Sequence, residues 1–395
     1  MSALRRISTR RLLLICALSL AAVVGATAVA LAATGGSGPK PPPKPLANAV
    51  HDALNAPEVP GISARIDFTN NLVDASSLQG ADPLLSGASG RLWASPEDGG
   101  KLRLELQSEV GVGGGDSQVL VDGRKFTIYD GGSETVYEGT LPEEEGGHDG
   151  QMTVPGLGEI ETEIGKAEKH AEISGATPSD VAGQPAYTVR VAPKHDGGLL
   201  GGVELAWDSN NGVPLRAAVY SSDSSSPVLQ LQATDVSFES IPASVFEVSP
   251  PAGAKVVDLN PEGELGDHHG QPSEVVGQQA VSQAVDFPLD APATLAGLPQ
   301  NEVRAIEVDG KTAALATYGE GLGGIAVIES KSEPGKGGEG EPGGIGLPKV
   351  SINGTEGEEL DTALGTVLRF SRGGVDYIVV GSVPPAAAEA AARAL

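Results

Sequence analysis

The side chains of this chain that could carry out chemistry are six histidines and several groups of acidic residues. The histidines are spread along the chain, at His51, His148, His170, His195, His268 and His269. The last two are adjacent in the polar sequence Gly-Asp-His-His-Gly, where neighbouring side chains point apart. A shared metal ion would therefore need a third ligand, which the sequence does not place. The pattern predicts no metal centre.

Two further segments match ligand-binding motifs only in part. Residues 111–115 read GVGGG, but they lack the Lys-Ser/Thr pair and the helix start of a phosphate-binding loop, so we interpret them as a hairpin tip. Residues 143–145 are three glutamates and are followed by His148 and Asp149, yet these residues lie among glycines without the ligand spacing of a cation site. We interpret them as a solvated loop.

The sequence contains no catalytic motif of a common class. It has no Gly-x-Ser-x-Gly elbow, no His-Glu-x-x-His helix and no complete Walker motif. The only cysteine is Cys16, which lies in an apolar N-terminal run. Carboxylate pairs such as Glu358-Glu359 form no acid–base couple unless a pocket raises the pKa of one partner. We therefore predict a non-catalytic protein without a cofactor.

Residues 1–33 are typical of an export signal or of an N-terminal membrane anchor. Four arginines precede an uncharged run over residues 12–33, which ends in small residues. The sequence Ala30-Leu31-Ala32 fits a cleavage site, but the run also has the length of about 20 residues that spans a bilayer. Under either alternative the rest of the chain is oriented outward. We expect an extracytoplasmic protein that is periplasmic, secreted or tethered to the membrane.

The charge of the chain excludes one large class of partners. The 26 basic and 52 acidic side chains give a formal net charge of −26, and four of the basic ones lie in the first 33 residues. Affinity for nucleic acids comes largely from Lys and Arg side chains that neutralise phosphates. A chain this acidic is therefore not expected to bind nucleic acid.

Changes in composition predict the domain organisation. A Gly/Pro-rich tether follows the N-terminal run over residues 34–46, and a first domain covers residues 47–258. A polar linker without apolar periodicity covers residues 259–283, and a second, smaller domain covers residues 284–395.

The first domain has the pattern of an antiparallel sheet with few helices. Its short alternating runs are bounded by Gly, Asp, Asn or Pro, and one run places Leu102, Leu104 and Leu106 on one face with Arg103 and Glu105 on the other. Helical patterns occur only at residues 46–54 and around 160–173. We predict an α+β, β-dominated fold in which this sheet curls into an open half-barrel with an apolar cavity.

The last part of this domain, residues 203–257, reads as a strand, an Asn-Gly turn, a strand, a Ser-rich turn and a strand. Its sequence resembles the closing strands of the LolA/LolB-like family of exported lipoprotein and lipid carriers. The matching words are Trp207-Asp208, Gly212-Val213-Pro214-Leu215-Arg216, Val219-Tyr220, Val245-Phe246-Glu247 and Pro250-Pro251-Ala252-Gly253-Ala254. The resemblance covers about residues 47–258 and implies a curved sheet, helices across its open side and a lipid-sized cavity between them.

The apolar residues of these strands are the candidate lipid contacts. They are Leu104, Leu106, Phe126, Ile128, Val189, Leu205, Trp207, Leu229 and Phe238. Alternation alone does not distinguish an empty cup from a filled core, so a packed interior stays open as the alternative. Our first hypothesis is a carrier-like protein that buries the acyl chains of a lipid or lipoprotein.

The sequence pattern of the second domain predicts a small α+β module. Strand patterns lead to Pro384-Pro385 and then to an alanine-rich helix at residues 386–395. The closing words Leu368-Arg369-Phe370 and Gly374-Val375-Asp376-Tyr377 resemble a small envelope module of uncharacterised function. This layout supports a second hypothesis, an extracytoplasmic sensor or regulator of envelope stress that acts through a membrane partner such as an anti-sigma factor.

Overall fold

A computed structural model describes most of the chain beyond residue 37. The described residues are 38–73, 87–96, 100–108, 116–131, 134–140, 155–194, 198–248, 251, 253–258, 275–308, 311–332 and 347–395. The predicted fold class is confirmed, because the protein is β-dominated, has few helices and forms two sheets, of which the second one along the chain is a curled open half-barrel. That the first domain also forms a half-barrel stays a prediction.

The first sheet has thirteen strands. They are β1 (Ile62–Asn70), β2 (Ala88–Ser95), β3 (Lys101–Ser108), β4 (Ser117–Asp122), β5 (Lys125–Asp130), β6 (Thr135–Thr140), β7 (Ala171–Ile173), β8 (Thr177–Val181), β9 (Gln184–Pro193), β10 (Leu200–Asp208), β11 (Pro214–Ser221), β12 (Pro227–Ser237) and β13 (Lys255–Asp258). Their order is β13-β6-β5-β4-β3-β2-β1-β12-β11-β10-β9-β7, with β8 also paired to β9. All pairs are antiparallel except β6–β13.

The predicted meander is present as β10, β11 and β12, and its first turn is fixed by side chains. The buried Asp208 carboxylate accepts the backbone N–H groups of Asn210 (2.7 Å) and Asn211 (3.1 Å) through Oδ1. Gly212 has φ +73°, a conformation that a residue without Cβ adopts without strain. The Asn-Gly signal in the sequence therefore marks a real hairpin.

Two helices accompany this sheet, α1 (Leu46–Leu54) and α2 (Leu157–Ala167), and they contact each other. Helix α1 matches its predicted range. The second predicted helical stretch is shorter than expected, because the chain leaves the helix after Ala167 and residues 171–173 form the edge strand β7.

The second sheet has eight antiparallel strands in the order β14-β15-β16-β17-β21-β20-β19-β18. They are β14 (Thr294–Leu295), β15 (Leu298–Val308), β16 (Lys311–Tyr318), β17 (Ile325–Lys331), β18 (Lys349–Ile352), β19 (Thr355–Thr362), β20 (Gly365–Arg372) and β21 (Val375–Gly381). Helices α3 (Gln278–Ala284) and α4 (Pro385–Ala394) pack on it, and their Val281, Ala388, Ala391 and Ala392 belong to one buried core. The alanine-rich C-terminal helix is thus confirmed. Residues 278–283 of helix α3 lie in the stretch for which a linker was predicted.

The two sheets meet in a small seam of backbone hydrogen bonds. Leu199 N–H, before β10, bonds to the carbonyl and the hydroxyl of Ser382, each at 3.0 Å. Ala363 N–H bonds to the carbonyl of Leu72 at 2.9 Å. None of the buried apolar clusters of the described residues contains members from both sheets. The seam therefore joins the first sheet to the second sheet through polar contacts.

Candidate lipid-binding face

One face of the first sheet is apolar from β5 to β9, and strand register defines it. Residues that pair across antiparallel strands lie on the same face. One row across the sheet consists of Ile128, Val119, Leu104, Leu92, Ala64 and Val236. A row beyond β12 consists of Leu231, Ala217, Leu205 and Val189. We call this side of the sheet, defined by these two rows, the apolar face.

Eight of the nine predicted contact residues lie on the apolar face by register or by alternation along their strands. Leu104 and Leu106 lie on β3, Phe126 and Ile128 on β5, Val189 on β9, Leu205 and Trp207 on β10 and Leu229 on β12. Phe238 follows β12 and packs against the core that contains Ala64 and Ile66. The structure brings the candidates together in two groups: Leu104, Leu106 and Phe238 pack against one buried cluster, and Val189, Leu205 and Trp207 belong to another. Phe126, Ile128 and Leu229 belong to neither cluster. Whether they line a lipid cavity stays a prediction.

Most of these side chains are half-buried. Leu104, Leu106, Phe126, Ile128, Val189, Leu205, Leu229 and Phe238 keep part of their surface exposed, whereas Trp207 is only 6% exposed. Leu231, on the same face beside Phe68, is 44% exposed although it is a large apolar residue in the middle of a long strand. A face of partly exposed leucines, valines and aromatics has apolar surface left to gain from a further apolar partner.

Helix α1 covers the end of the apolar face that holds β9 and β10. Its Ala49 packs in one cluster with Tyr187 and Trp207, and Val189 and Leu205 join the cluster at its border. Trp207 therefore contacts helix α1. With the helix in this position, Trp207 is part of a packed core and does not line an open cavity. Its indole N–H is buried and has no hydrogen-bond partner.

Polar contacts hold helix α1 in this position. Lys44, just before the helix, donates a hydrogen bond to the Asp52 carboxylate and lies 5.8 Å above the Tyr187 ring. This hydrogen bond raises the pKa of Lys44 and lowers the pKa of Asp52. The Tyr187 hydroxyl donates to the carbonyl of Pro42 at 2.7 Å. At the other end, a Cβ on Gly212 would lie 2.5 Å from the carbonyl oxygen of Ala53. The helix is thus held by polar contacts just before its start, and its end lies close to Gly212.

The opposite face of the sheet carries charged side chains on its central strands, although Ala186, Ala206 and Val136 are buried on it. Arg103 donates to Glu105 and to the carbonyl of Val245 (2.7 Å), and Arg216 pairs with Glu204 at 2.5 Å. A cleft of about 390 Å³ on this face is lined mostly by polar side chains of β3, β4 and β5 and by Val248 and Pro251. The contrast between the two faces leaves the apolar face as the candidate for a hydrocarbon ligand.

Several sequence-based candidates lie outside the described residues. These are residues 111–115, residues 143–145 with His148 and Asp149, His195, the pair His268-His269 and the apolar run over residues 12–33. In the part of the chain that is described, no group of three or more His, Cys, Asp or Glu side chains could hold a metal ion. Within the same residues, no helix combines the length and the apolar character needed to cross a membrane.

Sequence reasoning missed some members of the apolar face. Leu92, Val119 and Leu231 lie in its two rows but were not among the nine candidates. Val119 and Leu231 belong to alternating runs, so their alternation was a visible signal. Leu92 depends on the pairing of β2 with β1 and β3, which local alternation does not give.

Comparison with known proteins gives likenesses among solved structures. No protein-family model matches the chain, and no curated protein sequence matches it. The complex of MucA and MucB from Pseudomonas aeruginosa contains a chain that is 16% identical, with 88% of this chain and 96% of that chain covered and a TM-score of 0.42. A LolA superfamily protein from Nitrosomonas europaea is 11% identical over 52% of this chain and 99% of that chain, with a TM-score of 0.18.

A third solved structure is a putative outer membrane lipoprotein-sorting protein domain from Vibrio parahaemolyticus. It is 13% identical over 51% of this chain and 96% of that chain, with a TM-score of 0.18. LolA superfamily proteins, which the sequence resembles, are thus among the solved structures that match this chain.

Proposed function

We propose that this protein binds the acyl chains of a lipid or lipoprotein on the apolar face of its first sheet and performs no catalysis. The observation that supports this most strongly is the partial exposure of apolar side chains over many neighbouring strands, up to 44% at Leu231. In an acidic, extracytoplasmic protein such a face would be costly to keep in water. A hydrocarbon ligand removes that cost.

Binding of this kind needs few polar contacts. Each methylene moved from water into an apolar environment gains roughly 0.8 kcal/mol. A chain of about ten methylenes therefore offers about 8 kcal/mol, against a cost of roughly 4–15 kcal/mol for association and ordering, so a longer chain or a second chain should bind more tightly. Selectivity would come from the length and shape of the face rather than from hydrogen bonds.

Helix α1 is the element that would move to admit a longer ligand. It covers Trp207 and Tyr187, and its contact with the rest of the domain combines one small apolar cluster, polar contacts just before the helix and a close approach of Ala53 to Gly212. A helix of 9 residues held in this way is easier to displace than a strand of the sheet. Its displacement would extend the exposed apolar face to β9.

A titration with a dansyl-labelled fatty acid, together with native mass spectrometry of protein purified without detergent, tests this proposal. Leu104→Trp places a bulky ring in the centre of the apolar face and should weaken binding. Leu120→Trp makes the same change on the polar face, where Leu120 pairs with Arg103, and should leave binding unchanged. Failure of the unmodified protein to bind the probe, or equal effects of both variants, would contradict the proposal.

A second candidate function is that of an envelope sensor with a membrane-protein partner. The seam between the first and the second sheet favours it, because Leu199 lies between β9 and β10, which carry part of the apolar face. A ligand that moves these strands would act on Ser382 and hence on the second sheet. Such a sensor would release or capture a membrane partner when acyl chains are added. Capture that does not depend on added lipid would argue against it.

The two candidate functions differ in the location of the protein and in the fate of its N-terminal segment. A carrier would be released by cleavage after residue 32, whereas a sensor can stay tethered by residues 12–33. The mass of the N-terminal peptide of the protein isolated from its native envelope distinguishes these two forms.

A further inference from the structure

A buried carboxylate lies in the core of the second sheet, far from the apolar face. Glu329 is 1% exposed and lies on the same side of β17 as the buried Ile325 and Val327. Its cross-strand neighbours are Ala314 on β16 and Tyr377 on β21. An ionised carboxylate in such a place is costly unless it is paired and hydrogen-bonded.

In the described part of the chain, Glu329 has one hydrogen-bond partner. Its Oε2 accepts the backbone N–H of Asp290 at 2.9 Å, whereas Oε1 is buried without a partner among these residues. The hydroxyl of Tyr318, on β16, is also buried and lies beside the Gln300 side chain. Among the described residues, no Lys, Arg or His side chain forms an ion pair with Glu329. The environment therefore favours the neutral carboxylic acid.

The charges that face this carboxylate come from several elements. Asp290 contributes a negative charge from the segment 285–292, which precedes β14, and Tyr377 lies on β21. Arg372, on β20, is shared between the Asp290 carboxylate at 3.5 Å, the carbonyl of Leu395 and the Tyr377 hydroxyl. On β17 itself, Lys331 is paired with Asp286 at 2.5 Å. Helix α3 carries no titratable side chain.

Burial and the neighbouring Asp290 carboxylate raise the pKa of Glu329 to about 7, although the hydrogen bond from the Asp290 backbone opposes this shift. A group that titrates near neutrality is unusual for a glutamate. It is expected to change its charge within the range of pH that an extracytoplasmic protein can meet.

The segment 285–292 depends directly on this carboxylate. Phe287 and Ala291 insert into the core of the second sheet, and Glu329 holds the backbone between them through the N–H of Asp290. Gln300 holds the far end of the segment by donating to the carbonyls of Ala291 (3.0 Å) and Pro292 (3.3 Å). An ionised Glu329 would place a buried negative charge beside Asp290, at the centre of the segment.

The geometry points to a proton-operated latch: protonated Glu329 holds the segment 285–292 against the second sheet, and loss of that proton loosens the segment. The direction of the pH dependence follows from how tightly the closed and the opened state each bind the proton. In the closed state Glu329 binds its proton more tightly than in the opened state, where it is solvated and titrates near the ordinary value of 4.5. The closed state is therefore favoured at acidic pH and loses stability as the pH rises from about 4.5 to about 7.

Hydrogen exchange of the full chain, corrected for the intrinsic pH dependence of exchange, tests the latch. With a pKa of about 7 in the closed state and 4.5 in the opened state, opening should increase roughly 30-fold between pH 5.5 and pH 8.5. The protection of the Asp290 amide and of its peptide should fall by that factor. A protection factor that is unchanged over this range would overturn the latch.

Two variants identify the responsible group. Glu329→Gln keeps the acceptor for the Asp290 amide but cannot ionise, so the segment should stay protected at both pH values. Asp290→Asn removes the neighbouring negative charge and should reduce, but not abolish, the pH effect, and this variant gives a test even if Glu329→Gln folds poorly. A full pH effect in Glu329→Gln, or in Asp290→Asn a larger effect than in the unmodified protein, would show that another group operates the segment.

A matched control uses the exposed ion pair of the same segment. Lys331→Gln removes the partner of Asp286 and should loosen the segment to a similar extent at both pH values. If Lys331→Gln instead abolished the pH dependence, the exposed pair rather than Glu329 would be the sensor.

Discussion

The end of helix α1 lies close to Gly212 in the β10–β11 turn. A substitution at Gly212 should therefore displace this helix and leave the rest of the domain in place. In Gly212→Ala the new Cβ would lie 2.5 Å from the carbonyl oxygen of Ala53, where ordinary contacts begin at 3.4 Å. The end of the helix must therefore retreat by roughly 1 Å, because a packed interior does not absorb such an overlap. Alanine at the φ of +73° adds a backbone cost of about 1–2 kcal/mol.

Gly183→Ala is the matched control for this change. Gly183 has φ +74° in the β8–β9 turn, and a Cβ there meets nothing within 4 Å. Both variants should lose about 1–2 kcal/mol of unfolding free energy from the backbone alone. Only Gly212→Ala should lose more than this, and only it should loosen helix α1 above Trp207.

Acrylamide quenching of Trp207 fluorescence, in a Trp93→Phe background, measures this displacement. Trp207 is 6% exposed under the helix, so the quenching constant should be low in the unmodified protein and in Gly183→Ala. It should rise in Gly212→Ala. Equal quenching in both glycine variants would refute the idea that the helix is a displaceable cover.

Three further predictions concern the seam, the hairpin and the buried acid. In Gly198→Ala the new Cβ would overlap the carbonyl of Ser382, so the amide of Leu199 should lose exchange protection. Gly373→Ala, at φ +62° in open space, is the control and should not affect this amide. Asp208→Ala removes two charge-assisted hydrogen bonds and should cost about 2–4 kcal/mol in urea unfolding. Glu329→Gln should exceed the unmodified protein in unfolding free energy by up to about 3 kcal/mol at pH 8, because a raised pKa lowers stability as pH rises, and the gap should close towards pH 4.5.

Local patterns were enough to predict many strands and turns of the first sheet. The alternation of Leu102, Leu104 and Leu106 with Arg103 and Glu105 assigned the two faces of β3 correctly, since the period of a strand is two. The Asn211-Gly212 pair marked the β10–β11 turn because it allows the positive φ that the turn needs.

Long-range pairing was beyond the reach of local patterns. Strand β1 pairs with β12, which joins Ile66 to Ala233 across the first domain, and β13 returns to pair in parallel with β6. These contacts decide which apolar residues share a row, so Leu92 was missed. Trp207 was assigned to the cavity because its alternation fits, but the sequence does not show that helix α1 covers it.

The buried acid had a signal that local patterns could have revealed. Ile325, Val327 and Glu329 share one face of β17 by alternation, so the carboxylate had to lie on the core side. Glu329 was not singled out because an acidic chain contains many glutamates, and only the surrounding strands and the segment 285–292 distinguish a buried one.

The most direct test of acyl-chain binding on the apolar face is a comparison of Leu231→Glu with Gln230→Glu in the fatty-acid titration. Full burial of a leucine is worth about 1.5–3 kcal/mol, so the 44% of Leu231 that is exposed leaves about 1 kcal/mol for a ligand to gain. A carboxylate at this position loses that gain and must also be desolvated against hydrocarbon.

Leu231→Glu should therefore weaken binding at least about tenfold, which corresponds to about 1.4 kcal/mol. Its cost to the fold should be small, because nearly half of the side chain is already exposed. Gln230→Glu adds the same charge on the polar face of the same strand and should bind the fatty acid like the unmodified protein. Equal affinities of the two variants, with both folded, would contradict binding on the apolar face.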